Sequence, residues 1–182
     1  MTRLLSLFVA GGLAASALAD VGALREYDVK AACLFNIAKY TDWPATAFAR
    51  PGDPVIIGVL GDDPFGGVLD RIVKGRVINS RPVLVRRASR AQELADAHIV
   101  FIGSSERARA AQICAALETS NAMCIGDLEE TAPFAAINFS VAAGRTVFTV
   151  NLARASRAGV RLSSKLLHLA AAVTGGHANA SR

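Results

Sequence analysis

Between residues 55 and 125 one pattern repeats: a short run that is apolar at every position, a small polar loop, then a stretch of helical periodicity. Val55-Ile56-Ile57-Gly58-Val59-Leu60 and Ile99-Val100-Phe101-Ile102 are the clearest runs. A strand with one face in water alternates polar and apolar residues. A run apolar throughout suits a strand covered on both faces, as in a parallel sheet whose crossovers lay helices on each side. Val83-Leu84-Val85 and Ala122-Met123-Cys124-Ile125 extend the set, with a shorter strand expected at Arg76 to Ile78. The pattern predicts an α/β fold: a three-layer, Rossmann-like domain around a mostly parallel sheet.

The connecting segments carry their own punctuation. Tyr27 to Tyr40 reads as a helix, with Val29, Ala32, Cys33, Asn36/Ile37 and Tyr40 at helical spacing and Asp42-Trp43-Pro44 as its stop. Asp63 is placed to cap a helix whose first position is Pro64 and which runs to Gly75. Ala91 to Ala95 is expected as a brief helix and Glu106 to Leu117 as a longer one. After residue 135 the period changes to two. Ala136 to Val141 and Arg145 to Val150, around Ala142-Ala143-Gly144, predict an antiparallel hairpin at one edge near the C-terminus. Two helices are expected to follow, Leu152 to Ala158 and Ser163 to Val173, with Ser163 as N-cap.

The first nineteen residues read as an address. A basic start at Arg3, an uncharged apolar run from Leu4 to Leu18, and Ala17-Leu18-Ala19 match a secretory leader cut after Ala19. Residues 20–182 are then expected as a single exported domain. Removing the leader takes out Arg3 and no acidic residue, leaving 19 basic against 15 acidic side chains, a charge of +4. That balance is mild. The clusters Arg81, Arg86, Arg87, Arg90 and Arg154, Arg157, Arg161 lack interleaved aromatics and any nucleic-acid motif, so no nucleic-acid partner is expected.

In an open parallel sheet, ligand-facing loops gather at the C-terminal ends of the strands. Here these are Gly61-Asp62-Asp63, Gly103-Ser104-Ser105 and Gly126-Asp127, expected on one rim. Candidate partner- or ligand-binding residues are therefore Asp62, Asp63, Phe65, Ser104, Ser105, Glu106 and Asp127; the same side chains could instead cap helices and hold turns. Trp43, the only tryptophan, is a further anchor candidate, or else a plug over the sheet. No catalytic constellation is read. Gly61 to Gly67 lacks the Lys-Ser/Thr pair of a phosphate loop, Gly103-Ser104-Ser105-Glu106-Arg107 lacks the closing glycine of a nucleophile elbow, and His98, His168 and His177 lack metal-ligand spacing. No cofactor or metal is expected, and His98, at the opposite end of its strand from the Asp-bearing loops, reads as structural or else as a pH-sensitive contact. Cys114 and Cys124 could bridge, or all three cysteines could be buried thiols.

Several segments, in order, resemble the YfiR family of exported bacterial proteins. They include Lys30-Ala31-Ala32-Cys33-Leu34-Phe35-Asn36-Ile37-Ala38-Lys39-Tyr40-Thr41-Asp42-Trp43-Pro44, Ile57 to Gly66, His98 to Glu106, Gly126-Asp127, Ile137-Asn138-Phe139, Asn151-Leu152 and Ala158 to Leu167. The resemblance implies a periplasmic, non-enzymatic regulator. It implies inhibition of a membrane-bound diguanylate cyclase through the cyclase's periplasmic domain, and so control of cyclic-di-GMP signalling and biofilm. It further implies an OmpA-like outer-membrane lipoprotein as a second partner, redox sensitivity through disulfides, and a homodimer. Members often carry a cysteine before the histidine of the third strand; Ala97 stands there in this chain, which leaves that disulfide scheme without one partner. The alternative function is a periplasmic small-molecule receptor acting on a sensor kinase.

Overall fold

The structure is a computed structural model that describes residues 11–176. The leader expected over residues 1–19 therefore falls partly outside the described residues. Helix α1 spans Gly11–Lys39, 29 residues and about 44 Å at 1.5 Å per residue. It begins well before the predicted Tyr27, because the Ala- and Leu-rich stretch preceding that residue has high helix propensity of its own. No helix among the described residues is long and apolar enough to cross a membrane.

The remaining elements are β1 (Thr41–Asp42), β2 (Val55–Leu60), α2 (Gly67–Val73), β3 (Val77–Ile78), β4 (Arg81–Ala88), β5 (Ile99–Ile102), α3 (Ala110–Thr119), β6 (Met123–Gly126), β7 (Ile137–Ala142), β8 (Arg145–Asn151), α4 (Leu152–Arg157), β9 (Arg161–Leu162), α5 (Ser164–Leu169) and β10 (Ala172–Thr174). Eight strands form one sheet in the order β10-β8-β7-β6-β5-β2-β4-β3, and β1 pairs with β9 apart from it. The contiguous strands β4, β2, β5, β6 and β7 run parallel. The β7–β8 hairpin and the β3–β4 pair are antiparallel.

The unbroken apolar runs divide between two cores. Val55, Ile57 and Val59 of β2, Ile99 and Phe101 of β5, and Met123 and Ile125 of β6 face α1 and α2. Ile56, Leu60, Val100, Ile102 and Cys124 face α3 on the other side. Successive side chains of a strand point to opposite faces, so a strand buried on both must be apolar at every position. The domain is three-layered with a mostly parallel sheet, as the pattern requires.

Several local features differ from expectation. The first is helix α2, which starts at Gly67 rather than Pro64. Asp63 Oδ1 accepts the Phe65 N–H at 2.7 Å, closing an Asx turn that delays the helix. The segment Ser104–Arg109 is a 3-10 turn leading into α3, and Ala91–Leu94 is another. The last helix ends at Leu169, not Val173. The Ala171 N–H bonds to the Phe148 carbonyl, and Ala172–Thr174 joins β8 as a parallel strand. The hairpin thus lies one strand in from the edge. Finally, the buried stripe of α1 is Lys30, Ala31, Leu34, Ile37 and Ala38, offset from the predicted one, and Val29 is 48% exposed.

Candidate functional site

The chain passes from β2 out to β4 on one side, then returns across β2 to β5 on the other. Adjacent strands whose connections leave in opposite directions open a crevice at their carboxyl ends. Here the crevice lies between Gly61-Asp62-Asp63 and Gly103-Ser104-Ser105, and the loops themselves close it. The Asp62 N–H donates to Ser105 Oγ at 2.9 Å. A Cβ on Gly103 would lie 2.5 Å from the Asp62 carbonyl, so the two backbones meet too closely for any side chain.

Arg87, from the end of β4, fixes the outer side of this rim. Its Nε donates to Asp63 Oδ2 at 2.7 Å, and Nη2 donates to the Gly66 carbonyl at 2.9 Å and to Asp70 Oδ2 at 2.6 Å. The Arg87 hydrogen bond holds the Asp70 carboxyl below the usual carboxylate range. Asp63 is thus a structural residue of the loop. Two other candidates point inward. Phe65 is 3% exposed and packs edge-on against Phe101 at 4.8 Å, so it is a core residue and not a surface anchor. Glu106 is buried and paired with Arg109. Asp62, Ser104 and Ser105 remain on the surface.

Asp127, following β6, is tied to α1. Lys30 Nζ donates to Asp127 Oδ2 at 2.7 Å and contacts Glu26 Oε1 at 2.5 Å; the side chains of Lys30 and Asp127 are each 3% exposed. The Tyr27 hydroxyl donates to the same Asp127 oxygen at 3.0 Å, and the Lys30 ammonium lies 4.4 Å from the Tyr27 ring centroid. Burial, and then the Asp127 charge, push the Tyr27 hydroxyl well above its ordinary pKa. Below this cluster, Thr131 Oγ1 donates to Asn138 Oδ1 at 2.5 Å and accepts the Leu128 N–H at 3.1 Å. A Cβ on Gly126 would strike Thr131 Oγ1 at 2.2 Å. Tyr27, Lys30 and Glu26 are the residues of the rim that motif reading misses. The signal for them is Lys30 itself, four residues before Leu34 in the line of α1 that faces the sheet.

Trp43 does not join the rim. It sits at the opposite end of the sheet, edge-on to His98 at 5.2 Å between ring centroids, with Phe48 4.6 Å from the same imidazole. Cys114 of α3 and Cys124 of β6 are joined by a disulfide that staples α3 to its face of the sheet. Cys33 is a free, half-buried thiol whose pKa burial pushes up.

The YfiR/HmsC-like family profile matches residues 27–171, from the tyrosine of the rim cluster to the end of α5 and just beyond. The chain belongs to the YfiR/HmsC-like family. No curated protein matches the chain. Among solved structures, this YfiR/HmsC-like chain is similar to a conserved domain protein from Vibrio cholerae O1 biovar El Tor. The TM-score is 0.52 at 10% identity, over 65% of this chain and 54% of that one. It is also similar to a Streptococcus ABC domain in complex with L-Trp, with a TM-score of 0.47 at 8% identity, over 65% and 55% of the two chains. The match thus spans about half the length of these structures, and at such identities the first of them speaks to the fold alone.

Proposed function

We propose that the protein restrains a membrane diguanylate cyclase by binding the cyclase's periplasmic domain through the rim at the carboxyl end of the sheet. The observation that carries this reading is the family match over residues 27–171. The geometry supports the choice of surface. Asp62, Ser104 and Ser105 stand exposed on a base that Arg87, the Asp62–Ser105 bond and the Lys30–Asp127 pair hold rigid. A rigid surface loses little entropy when it docks, so more of its contact energy is available to bias one state of the partner. Holding a switch mostly off requires a differential affinity of about 5 kcal/mol. An OmpA-like lipoprotein that competes for the regulator, a homodimeric form, and a leader cut after Ala19 belong to the same proposal.

Deleting the gene and measuring cyclic-di-GMP and surface adhesion tests the reading directly. Both rise if the protein restrains a cyclase, and a neighbouring membrane cyclase co-purifies with it. Unchanged levels with no co-purifying sensor would sink it.

One observation favours a second reading, a small-molecule receptor acting on a sensor kinase. A cleft of about 670 Å³ opens beside the rim, lined by Ser105, Arg107, Ala111, Glu130 and Phe134 among others, within the size range of ligand pockets. A thermal shift with amino acids or nucleotides, abolished by Arg107→Ala, distinguishes it from the first.

A further inference from the structure

At the amino-terminal end of the sheet, His98 occupies a position that only a neutral imidazole can fill. It is 5% exposed. Its Nδ1 accepts the main-chain N–H of Ile56, the second residue of β2, at 3.2 Å. The proton of the neutral ring must then sit on Nε2, which is buried and has no hydrogen-bond partner among the described residues. The ring is walled by Trp43 and Phe48, which belong to the connection from α1 to β2. That connection is held by a 3-10 turn at Ala45–Ala47, by the Trp43 Nε1–H bond to the Ala38 carbonyl at 3.3 Å, and by Arg81, which donates to the Arg50 and Asp53 carbonyls at 3.3 and 2.9 Å.

We propose that His98 is a proton-operated latch: when Nδ1 takes up a proton it can no longer accept the Ile56 N–H, and the connection from Trp43 to Pro54 is released from the sheet. The charged groups around the ring are few. Arg81, at the start of β4, stacks its guanidinium over Phe48 at 3.6 Å and donates to the Asp53 carbonyl at 2.9 Å, so a second cation stands close by. Asp96, from the turn before β5, contributes the opposing charge, but it is already paired with Arg86. The connection and β2 present no carboxylate to the imidazole; Asp53 instead pairs with Arg50. Burial accordingly lowers the His98 pKa, with the nearby Ala47 main chain opposing that shift in part.

The sign follows from linkage. A histidine neutral in the closed form and titrating at about 6.5 when released stabilises the closed form above that pH. The stabilisation is lost as pH falls through and below this value. The opening equilibrium rises by about tenfold per pH unit until the pKa of the closed form is reached.

Trp43 is the chain's only tryptophan, and it touches the switch. Its fluorescence, titrated from about pH 8 to about pH 5, is the direct readout, because protonated imidazole quenches indole more strongly than neutral imidazole. We expect a reversible change with its midpoint below the ordinary histidine range, and a parallel rise in amide exchange at Ile56 once corrected for intrinsic rates. His98→Gln keeps an acceptor for Ile56 but cannot titrate, so it should remove both effects. Where that variant is too unstable to purify, imidazole chemical shifts of the wild-type protein serve instead. A His98 ring that stays neutral to about pH 5, a flat Trp43 signal, or a transition that persists in His98→Gln overturns the latch.

Discussion

Lys30→Met is the most informative perturbation of the rim, because it separates a buried ion pair from the packing around it. Lys30 and Asp127 are both nine-tenths buried, and their contact at 2.7 Å joins α1 to the loop after β6. Removing one member of a buried pair leaves the other charge without compensation, at a cost of about 3–5 kcal/mol. In Lys30→Met the orphan is Asp127, left with only the Tyr27 hydroxyl at 3.0 Å. Asp127→Asn should cost less, about 1.5–3 kcal/mol, because Lys30 keeps Glu26 at 2.5 Å and Tyr27 keeps an amide oxygen. Lys30→Met with Asp127→Leu removes both charges and fills the space, so it should be more stable than Lys30→Met alone, with a coupling of at least about 2 kcal/mol. For a chain of this size, 3–5 kcal/mol corresponds to a fall in Tm of about 6–20 °C. Urea and thermal unfolding followed by circular dichroism measure these three variants and the single Asp127→Leu, which closes the cycle. Single costs below about 1 kcal/mol that simply add in the double variant would show that the pair is solvated and α1 is docked by its aliphatic stripe alone.

Other outcomes are sharper and smaller. Opening the Cys114–Cys124 bridge by Cys114→Ala with Cys124→Ala should cost about 2.5–3 kcal/mol from a closed loop of this length; dithiothreitol should lower the Tm of the wild-type protein and leave that of the variant unchanged. Gly126→Ala places a methyl 2.2 Å from Thr131 Oγ1, so unfolding should show a loss of more than about 2 kcal/mol, recovered in part by Thr131→Ala. Asp62→Arg should leave stability within about 0.5 kcal/mol, since Asp62 is exposed and its bond to Ser105 is made by the main chain; under the proposed function it should weaken co-purification with the cyclase at least tenfold, and unaltered capture would remove Asp62 from the docking surface.

The sheet was readable in the sequence because burial on both faces leaves no room for polar residues. β2, β5 and β6 therefore announce themselves, and their carboxyl-terminal loops come to one rim by topology alone. Helix α1 was readable as a helix but not in phase. Its buried line contains Lys30, a polar residue that a hydrophobic count excludes, while Val29 is apolar and exposed. A charge can occupy the line only if a partner waits on the sheet, and Asp127, 97 residues away, is such a partner. Nothing local in the sequence joins the two. The same holds for β10: Ala171-Ala172-Val173-Thr174 continues a helical composition, and only the free edge of β8 turns it into a strand.

The placement of polar residues separates the two ends of the sheet by physical role. At the carboxyl end each buried charge has a counter-charge, and the loops are pinned by side chains from three different elements, so this surface is preorganised. At the amino end a neutral imidazole with an unpartnered nitrogen packs against the connection between α1 and β2, which Arg81 also holds. A regulator needs one surface that keeps its shape, so that a partner is recognised, and one element with two accessible states, so that recognition can be biased. Both are present in one domain, and α1 runs between them: Tyr27 and Lys30 lie at the rim, and the Ala38 carbonyl receives the Trp43 indole at the other end. Release of the connection at His98 would therefore reach the rim through the seating of α1. That coupling makes the two variants interdependent: in Lys30→Met, where α1 is loosened at its rim end, the Trp43 transition should move toward higher pH, and an unmoved midpoint would show that the two ends act alone.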